Sequence, residues 1–120
     1  MLLDKQQMEK LSQVITAVEL EAPLHIRVHL RPRCHRNIQR EAQAYFLKEE
    51  LHKHSEHNNV LIYIGEKSQR FVLMGDRAVH ENLGTEGWQQ AGNILKTYFA
   101  RGEYLEGLKA TLQFLGEHCQ

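Results

Sequence analysis

Apolar residues recur every three or four positions in four segments of the chain, and this spacing predicts four amphipathic helices. In the first segment, Asp4 and Gln7 have the spacing of a capping box, and Pro23 ends the helix soon after Glu21 because proline blocks continuation. In the third segment, the pair Arg101-Gly102 is typical of a helix end. The predicted helices cover residues 4–21, 38–53, 85–101 and about 103 onward.

Three other segments predict strands, and their patterns indicate where each strand lies in the sheet. Residues 24–30, LHIRVHL, alternate apolar and polar side chains, as a strand with one buried face does. Residues 60–64, VLIYI, are all apolar, which is typical of a central strand covered on both faces. The short polar segment GEKSQR, residues 65–70, leads into FVLM, residues 71–74, and so short a connection joins only antiparallel neighbours.

The order of these elements, α-β-α-β-β-α-α, determines the expected topology. A right-handed β-α-β crossover makes the first two strands parallel, and the hairpin reverses the third. Helices then cover both faces of the sheet. We therefore predict an α/β fold, a three-layer α/β/α sandwich with a small mixed sheet, formed by residues 1–120 as one domain.

Composition narrows the class of partner. Fifteen basic and fifteen acidic residues balance, so there is no overall charge to attract nucleic acid, which is not an expected partner. The amino terminus lacks an apolar core of signal-peptide length, and no apolar run is long enough for a membrane span. We expect a soluble, cytoplasmic protein in which Cys34 and Cys119 are reduced thiols.

Several ordered motifs in the second half of the chain resemble the TPM domain family. The run NVLIYIGEKSQRFVLMGDRAVHENLG and the later YFARGEYLEGLKATL carry most of this resemblance, which extends to HIRVHLRPRC and the first helix. The resemblance implies a Rossmann-like α/β/α domain. It also implies that divalent cations are candidate ligands, since some members bind them, and that acid phosphatase activity is a candidate function, since a plant branch has it.

The densest local charge lies in HIRVHLRPRCHRNIQR, residues 25–40, which contains five arginines and no acid. Its loop follows a parallel strand and precedes a helix, where backbone N–H groups and the helix dipole favour anions. The hairpin should add two cations at the same end of the sheet. The alternative is a solvated basic loop balanced by acidic helices. The expected anion- or partner-binding residues are Arg31, Arg33, Arg36, Arg40, Lys67 and Arg70, with Arg27 nearby on the strand.

A second candidate site follows the third strand in GDRAVHENLG, residues 75–84. Asp76, His80 and Glu81 carry oxygen and nitrogen donors that would suit calcium or magnesium, and Glu19 and Glu21 would add charge at that end of the sheet. The structural alternative is a Gly-Asp turn with Asp76 as a helix cap. The histidines of HKHSEH, residues 52–57, do not have the spacing of an established set of zinc ligands. Nothing in the sequence indicates an organic cofactor or an activated nucleophile.

These placements distinguish two functions. A metal-dependent phosphatase needs its cations and anion-binding arginines around one phosphorus atom. Antiparallel pairing of the hairpin instead sends Asp76 and the arginines to opposite ends of the strands. The leading hypothesis is a non-enzymatic binding or accessory domain that recognises a protein or a small anionic ligand. The alternative is a divalent-cation-dependent acid phosphatase in which Asp76 is a central residue.

Overall fold

The computed structural model describes residues 2–34, 36–49 and 58–120. The elements follow one another in the order the sequence predicts. The helices are α1 (Lys5–Glu21), α2 (Ile38–Lys48), α3 (Arg77–Ala100) and α4 (Tyr104–His118). The strands are β1 (His25–Arg31), β2 (Asn59–Gly65) and β3 (Arg70–Gly75).

The sheet has the strand order β1-β2-β3. β1 and β2 are parallel, with Arg31 beside Gly65, and β2 and β3 are antiparallel, with Gly65 beside Arg70 and Val60 beside Gly75. The predicted crossover and hairpin are therefore confirmed. One end of the sheet holds the carboxyl ends of β1 and β2 and the amino end of β3.

Both faces of β2 are covered, as its uninterrupted apolar run predicts. Val60, Ile62 and Ile64 face a large core that contains buried residues of α1, α3 and α4. Leu61 and Tyr63 face the opposite side, where Ala42 and Phe46 of α2 complete a smaller core. The three-layer α/β/α sandwich is thus confirmed, with three helices on one face and α2 on the other.

Two predicted helix boundaries are corrected. α2 ends at Lys48 rather than Lys53, and residues 50–57, which include the histidines considered for zinc, lie outside the described residues. α3 begins at Arg77 rather than Thr85, because the side chain of Asp76 accepts a hydrogen bond from the Arg77 amide and caps a first helical stretch. Gly84 interrupts α3 with φ 64°, a left-handed conformation that glycine adopts at low cost.

Candidate functional site

The six cations predicted to bind an anion lie at one end of the sheet, which we call the basic end: Arg31, Arg33, Arg36, Arg40, Lys67 and Arg70. The strand register explains this grouping, because Arg31 of β1 and Arg70 of β3 flank Gly65 at the carboxyl end of β2. Arg33 and Arg36 lie in the β1–α2 loop, Lys67 lies in the hairpin, and Arg40 lies in the first turn of α2.

Backbone hydrogen bonds join the β1–α2 loop to the hairpin. The Glu66 amide donates to the Arg31 carbonyl at 2.8 Å, and the Lys67 amide donates to the Pro32 carbonyl at 3.1 Å. One guanidinium nitrogen of Arg70 donates to the Arg36 carbonyl at 3.0 Å. The two basic segments are therefore held side by side by the fold.

Cys34 lies at the centre of this junction, a role that sequence reasoning missed. Its Sγ is 3.2 Å from the Ser68 hydroxyl and 3.2 Å from a guanidinium nitrogen of Arg70. Gly65 lies directly beneath, and a β-carbon added there would be 2.5 Å from Sγ. Cys34 and Cys119 are both free thiols, as expected. The only sequence signal was a half-apolar residue among arginines, which does not indicate where the side chain packs.

Most cations of the basic end are exposed, and four of them have no acidic partner within the part of the chain that the structure describes. Arg31 has an acidic neighbour, Glu41, with 3.7 Å between Nε and Oε1. Four other cations of the basic end are exposed and form no ion pair with another described residue: Arg33, Arg36, Arg40 and Lys67. The first turn of α2 adds oriented amides, since the Asn37 side chain caps it by accepting from the Arg40 amide at 3.1 Å.

Arg27 belongs to a different environment on the α2 face of β1. Its guanidinium lies 3.0 Å from a carboxylate oxygen of Glu49, at the carboxyl end of α2. Next to it, the His29 ring stacks on Tyr45 with 4.2 Å between centroids and lies near Tyr63. Burial, followed by the charge of Arg31, lowers the pKa of His29 below its ordinary value of 6.5. Arg27 is therefore not part of the basic end.

The residues proposed to bind a cation have structural partners at the other end of the sheet. Asp76 accepts hydrogen bonds from the Arg77 amide at 3.3 Å and from the Asn59 side-chain amide at 3.1 Å. His80 Nδ1 accepts from the indole N–H of Trp88 at 2.9 Å. Glu81 is exposed on the same short helical stretch.

Glu19, which was considered as additional charge, instead accepts from the Ile26 amide at 2.8 Å at the start of β1. Among the described residues, no three His, Cys, Asp or Glu side chains come together in a group that could hold a metal ion. The donors present do not make up the oxygen-rich ligand set that calcium or magnesium requires. Cation binding by Asp76, His80 and Glu81 therefore stays a prediction without geometric support.

The two candidate sites lie far apart. β3 runs from Arg70 at the basic end to Gly75, immediately before Asp76. A rise of about 3.4 Å per residue gives roughly 17 Å along those five steps. Asp76 therefore does not share a cleft with Arg31 or Arg33.

The fold described above corresponds to a known family. The TPM domain profile matches residues 1–117, which is nearly the whole chain. The chain belongs to the TPM domain family. No curated protein sequence matches it.

Two solved structures support this TPM domain assignment at the level of the fold. The NMR structure of the BA42 protein from the psychrophilic bacterium Bizionia argentinensis has a TM-score of 0.91 and 22% identity, covering 98% of this chain and 81% of BA42. The N-terminal domain of a P. gingivalis protein has a TM-score of 0.78 and 15% identity, covering 99% of this chain and 82% of that one. Within the described part of the TPM domain, none of the helices has both the length and the apolar character of a membrane span.

Proposed function

We propose that this TPM domain is a non-enzymatic binding domain that recognises an anionic ligand, or an acidic surface of a protein partner, through its basic end. Recognition would depend on charge complementarity, and no bond would be broken. The observation that carries the proposal is the gathering of exposed cations from two segments, the β1–α2 loop and the hairpin, at the amino end of α2.

The arrangement suits an anion for two reasons. The exposed cations come from a chain whose total charge is zero, so the local excess of positive charge is balanced by acids elsewhere. The α2 amino terminus also directs the positive end of its helix dipole toward the same region. The hydrogen bonds of Arg70 to the Arg36 carbonyl and to Cys34 fix the loop backbone beside the hairpin before a ligand arrives, which lowers the entropic cost of binding.

Binding is favoured over phosphatase chemistry because of the roughly 17 Å between the basic end and Asp76. A metal-assisted phosphoryl transfer needs the metal ligands and the anion-binding cations around one phosphorus atom. Asp76 also has a structural role, since it caps α3 and accepts a hydrogen bond from Asn59.

The test is a double charge reversal, Arg33→Glu with Lys67→Glu. Both side chains are exposed, and one comes from each of the two segments. Arg31 is not chosen because Arg31→Glu would place a second carboxylate beside Glu41. The matched control, Arg77→Glu with Lys96→Glu, makes the same change in total charge at exposed positions outside the basic end. The probes are inorganic polyphosphate and a glutamate-rich peptide, with binding followed by amide NMR shifts and calorimetry.

We expect the Arg33/Lys67 variant to bind the probes at least about tenfold more weakly. Two attractive charge contacts with the probe, each of up to about 1 kcal/mol, are lost, and the new carboxylates repel the anion. Binding by the unchanged protein should also weaken as salt shortens the Debye length below about 8 Å. The proposal fails if neither probe shifts the basic-end amides, or if the control variant weakens binding as much as the test variant.

A further inference from the structure

The outer edge of β3 lacks the usual protection of an exposed strand. β3 pairs with β2 on one side only, and their register runs without a bulge from Arg70 to Gly75. The intervening side chains are all apolar, and each of them is partly exposed. The opposite edge strand, β1, carries exposed Arg27 and Arg31, which are the kind of charges that discourage pairing with another chain. Within residues 2–34, 36–49 and 58–120, no segment pairs with this edge of β3, so its backbone groups are available to a further strand.

A groove of about 690 Å³ lies along the carboxyl-terminal half of this edge, between α2 and α3. Its lining contains no Asp, Glu, Lys or Arg. Most of the polar groups that face the groove are the neutral amides of Gln39, Gln43 and Gln89, from both helices. Thr85, Trp88 and His80 also line it, and the His80 ring accepts the indole N–H of Trp88. Neutral amides carry both donors and acceptors, so they are able to pair with identical groups.

The sequence of β3 is complementary to itself when read in the opposite direction about Leu73. Antiparallel pairing centred there places Leu73 opposite Leu73 and Val72 opposite Met74 of the second copy. It also places Arg70 opposite Asp76, twice. Each side chain keeps its bonds within its own chain, Arg70 to the Arg36 carbonyl and Asp76 to the Asn59 amide, and the opposite charges face each other across the strands, which is stabilising. Phe71 comes opposite Gly75, which the Trp88 ring of its own chain already covers.

We propose that two copies of this chain pair through the outer edges of β3, related by a two-fold axis at Leu73, to form a continuous six-stranded sheet. Each three-stranded sheet contributes its β3 backbone groups to the new ladder. The axis is perpendicular to the sheet, so α2 faces α2 on one side and α3 faces α3 on the other. The two basic ends then lie at opposite ends of the assembly, and Arg70 is the only one of their six cations that belongs to the paired strands.

The groove favours a second copy over an unrelated extended peptide. At an isologous interface a residue near the axis meets its own counterpart, so a charged side chain there would repel itself. The lining glutamines avoid that repulsion, while the charged residues of the strand, Arg70 and Asp76, lie at its ends, where the two-fold axis brings opposite signs together.

The test uses the full chain in sedimentation equilibrium over a concentration series, together with amide hydrogen exchange. The variants are Gln43→Lys, which places two like charges across the axis, and Gln13→Lys, an exposed control on α1. We expect the unchanged protein and Gln13→Lys to dimerise. The β3 N–H groups that do not donate a hydrogen bond to β2 should gain protection from exchange as the protein concentration rises. Gln43→Lys should raise the dimer dissociation constant at least about tenfold, since like charges at an interface are strongly unfavourable.

Three results would overturn the proposal. The first is a monomer at concentrations up to about 1 mM, which means a dissociation constant well above that concentration. The second is a dimer in which the β3 amides stay unprotected and Gln43→Lys associates normally, because another surface must then be used. The third is protection of the β3 amides by an unrelated extended peptide while the protein stays monomeric, which would identify that peptide class as the occupant.

Discussion

Gly65 allows the two basic segments to meet, and replacing it with alanine should separate them. A β-carbon at this position would lie 2.5 Å from Cys34 Sγ, 2.9 Å from Cys34 Cβ and 3.1 Å from Ser68 Oγ. Carbon atoms in proteins pack at about 3.5–4.0 Å, so the β1–α2 loop has to move by roughly 1 Å. Gly65 is part of β2, every residue of which is buried, so the loop is the element that moves.

The expected cost follows from two opposing terms. Overpacking a well-filled site destabilises by about 1–3 kcal/mol. The Gly→Ala change also removes conformational freedom from the unfolded chain, which stabilises by about 0.4–1 kcal/mol. The net loss in the free energy of unfolding is therefore about 1–2 kcal/mol, and each kcal/mol lowers Tm by roughly 3–6 °C at this chain length.

Urea denaturation of Gly65→Ala, Cys34→Ala and the double variant measures this effect. Cys34→Ala removes the 2.5 Å contact and leaves the 2.9 Å one, so it should partly restore stability, with a coupling energy of about 1 kcal/mol. The control is Gly92→Ala in α3, where an added β-carbon meets nothing within 4 Å and which should stabilise the protein. The reasoning is refuted if Gly65→Ala is as stable as the unchanged protein, or if its cost is the same with and without Cys34.

Two further predictions concern Asp76 and His29. Asp76→Ala should lower the free energy of unfolding by about 1–2 kcal/mol in chemical denaturation, because it removes the cap of α3, and Asp76→Asn should cost less because asparagine keeps one acceptor. Titration of the unchanged protein and of Asp76→Asn with calcium, magnesium and manganese tests the cation site. Amide NMR shifts confined to residues 75–86 in the unchanged protein, and absent in Asp76→Asn, would contradict a purely structural role for Asp76. The lowered pKa of His29 means that the unfolded state takes up its proton first, so this residue should make stability fall as pH decreases below about 6.5. Unfolding measured from pH 8 to 5 should show a shallower fall in His29→Gln, and an unchanged slope would mean that other groups dominate.

The local pattern of the sequence was sufficient for most of the fold. The apolar run VLIYI predicted a strand buried on both faces, and every residue of β2 is buried. The short hairpin required antiparallel pairing, which the register of β2 and β3 confirms. The start of α3 was predicted too late because Gly84 breaks the helical pattern, and local periodicity does not indicate that a capped turn precedes the break.

The candidate site was predicted as a grouping but not as a structure. The ends of the strands follow from topology, so the sequence indicated which cations share the basic end. It did not indicate that Arg70 binds the Arg36 carbonyl and Cys34, or that Arg27 turns away toward Glu49. These contacts join residues far apart in sequence, and side-chain direction at a loop depends on the packing around it.

By itself, the sequence determined the order of the elements, the faces they bury and the end of the sheet to which each charge belongs, because periodicity and connection length act over a few neighbouring residues. Tertiary structure alone decided which of those charged groups already have partners. Asp76 and His80 are engaged by Asn59 and Trp88, whereas Arg33 and Lys67 remain exposed. The physical reason is that hydrogen-bond partners are chosen by distance and direction in space, and a chain brings distant segments within about 3 Å only when it is folded.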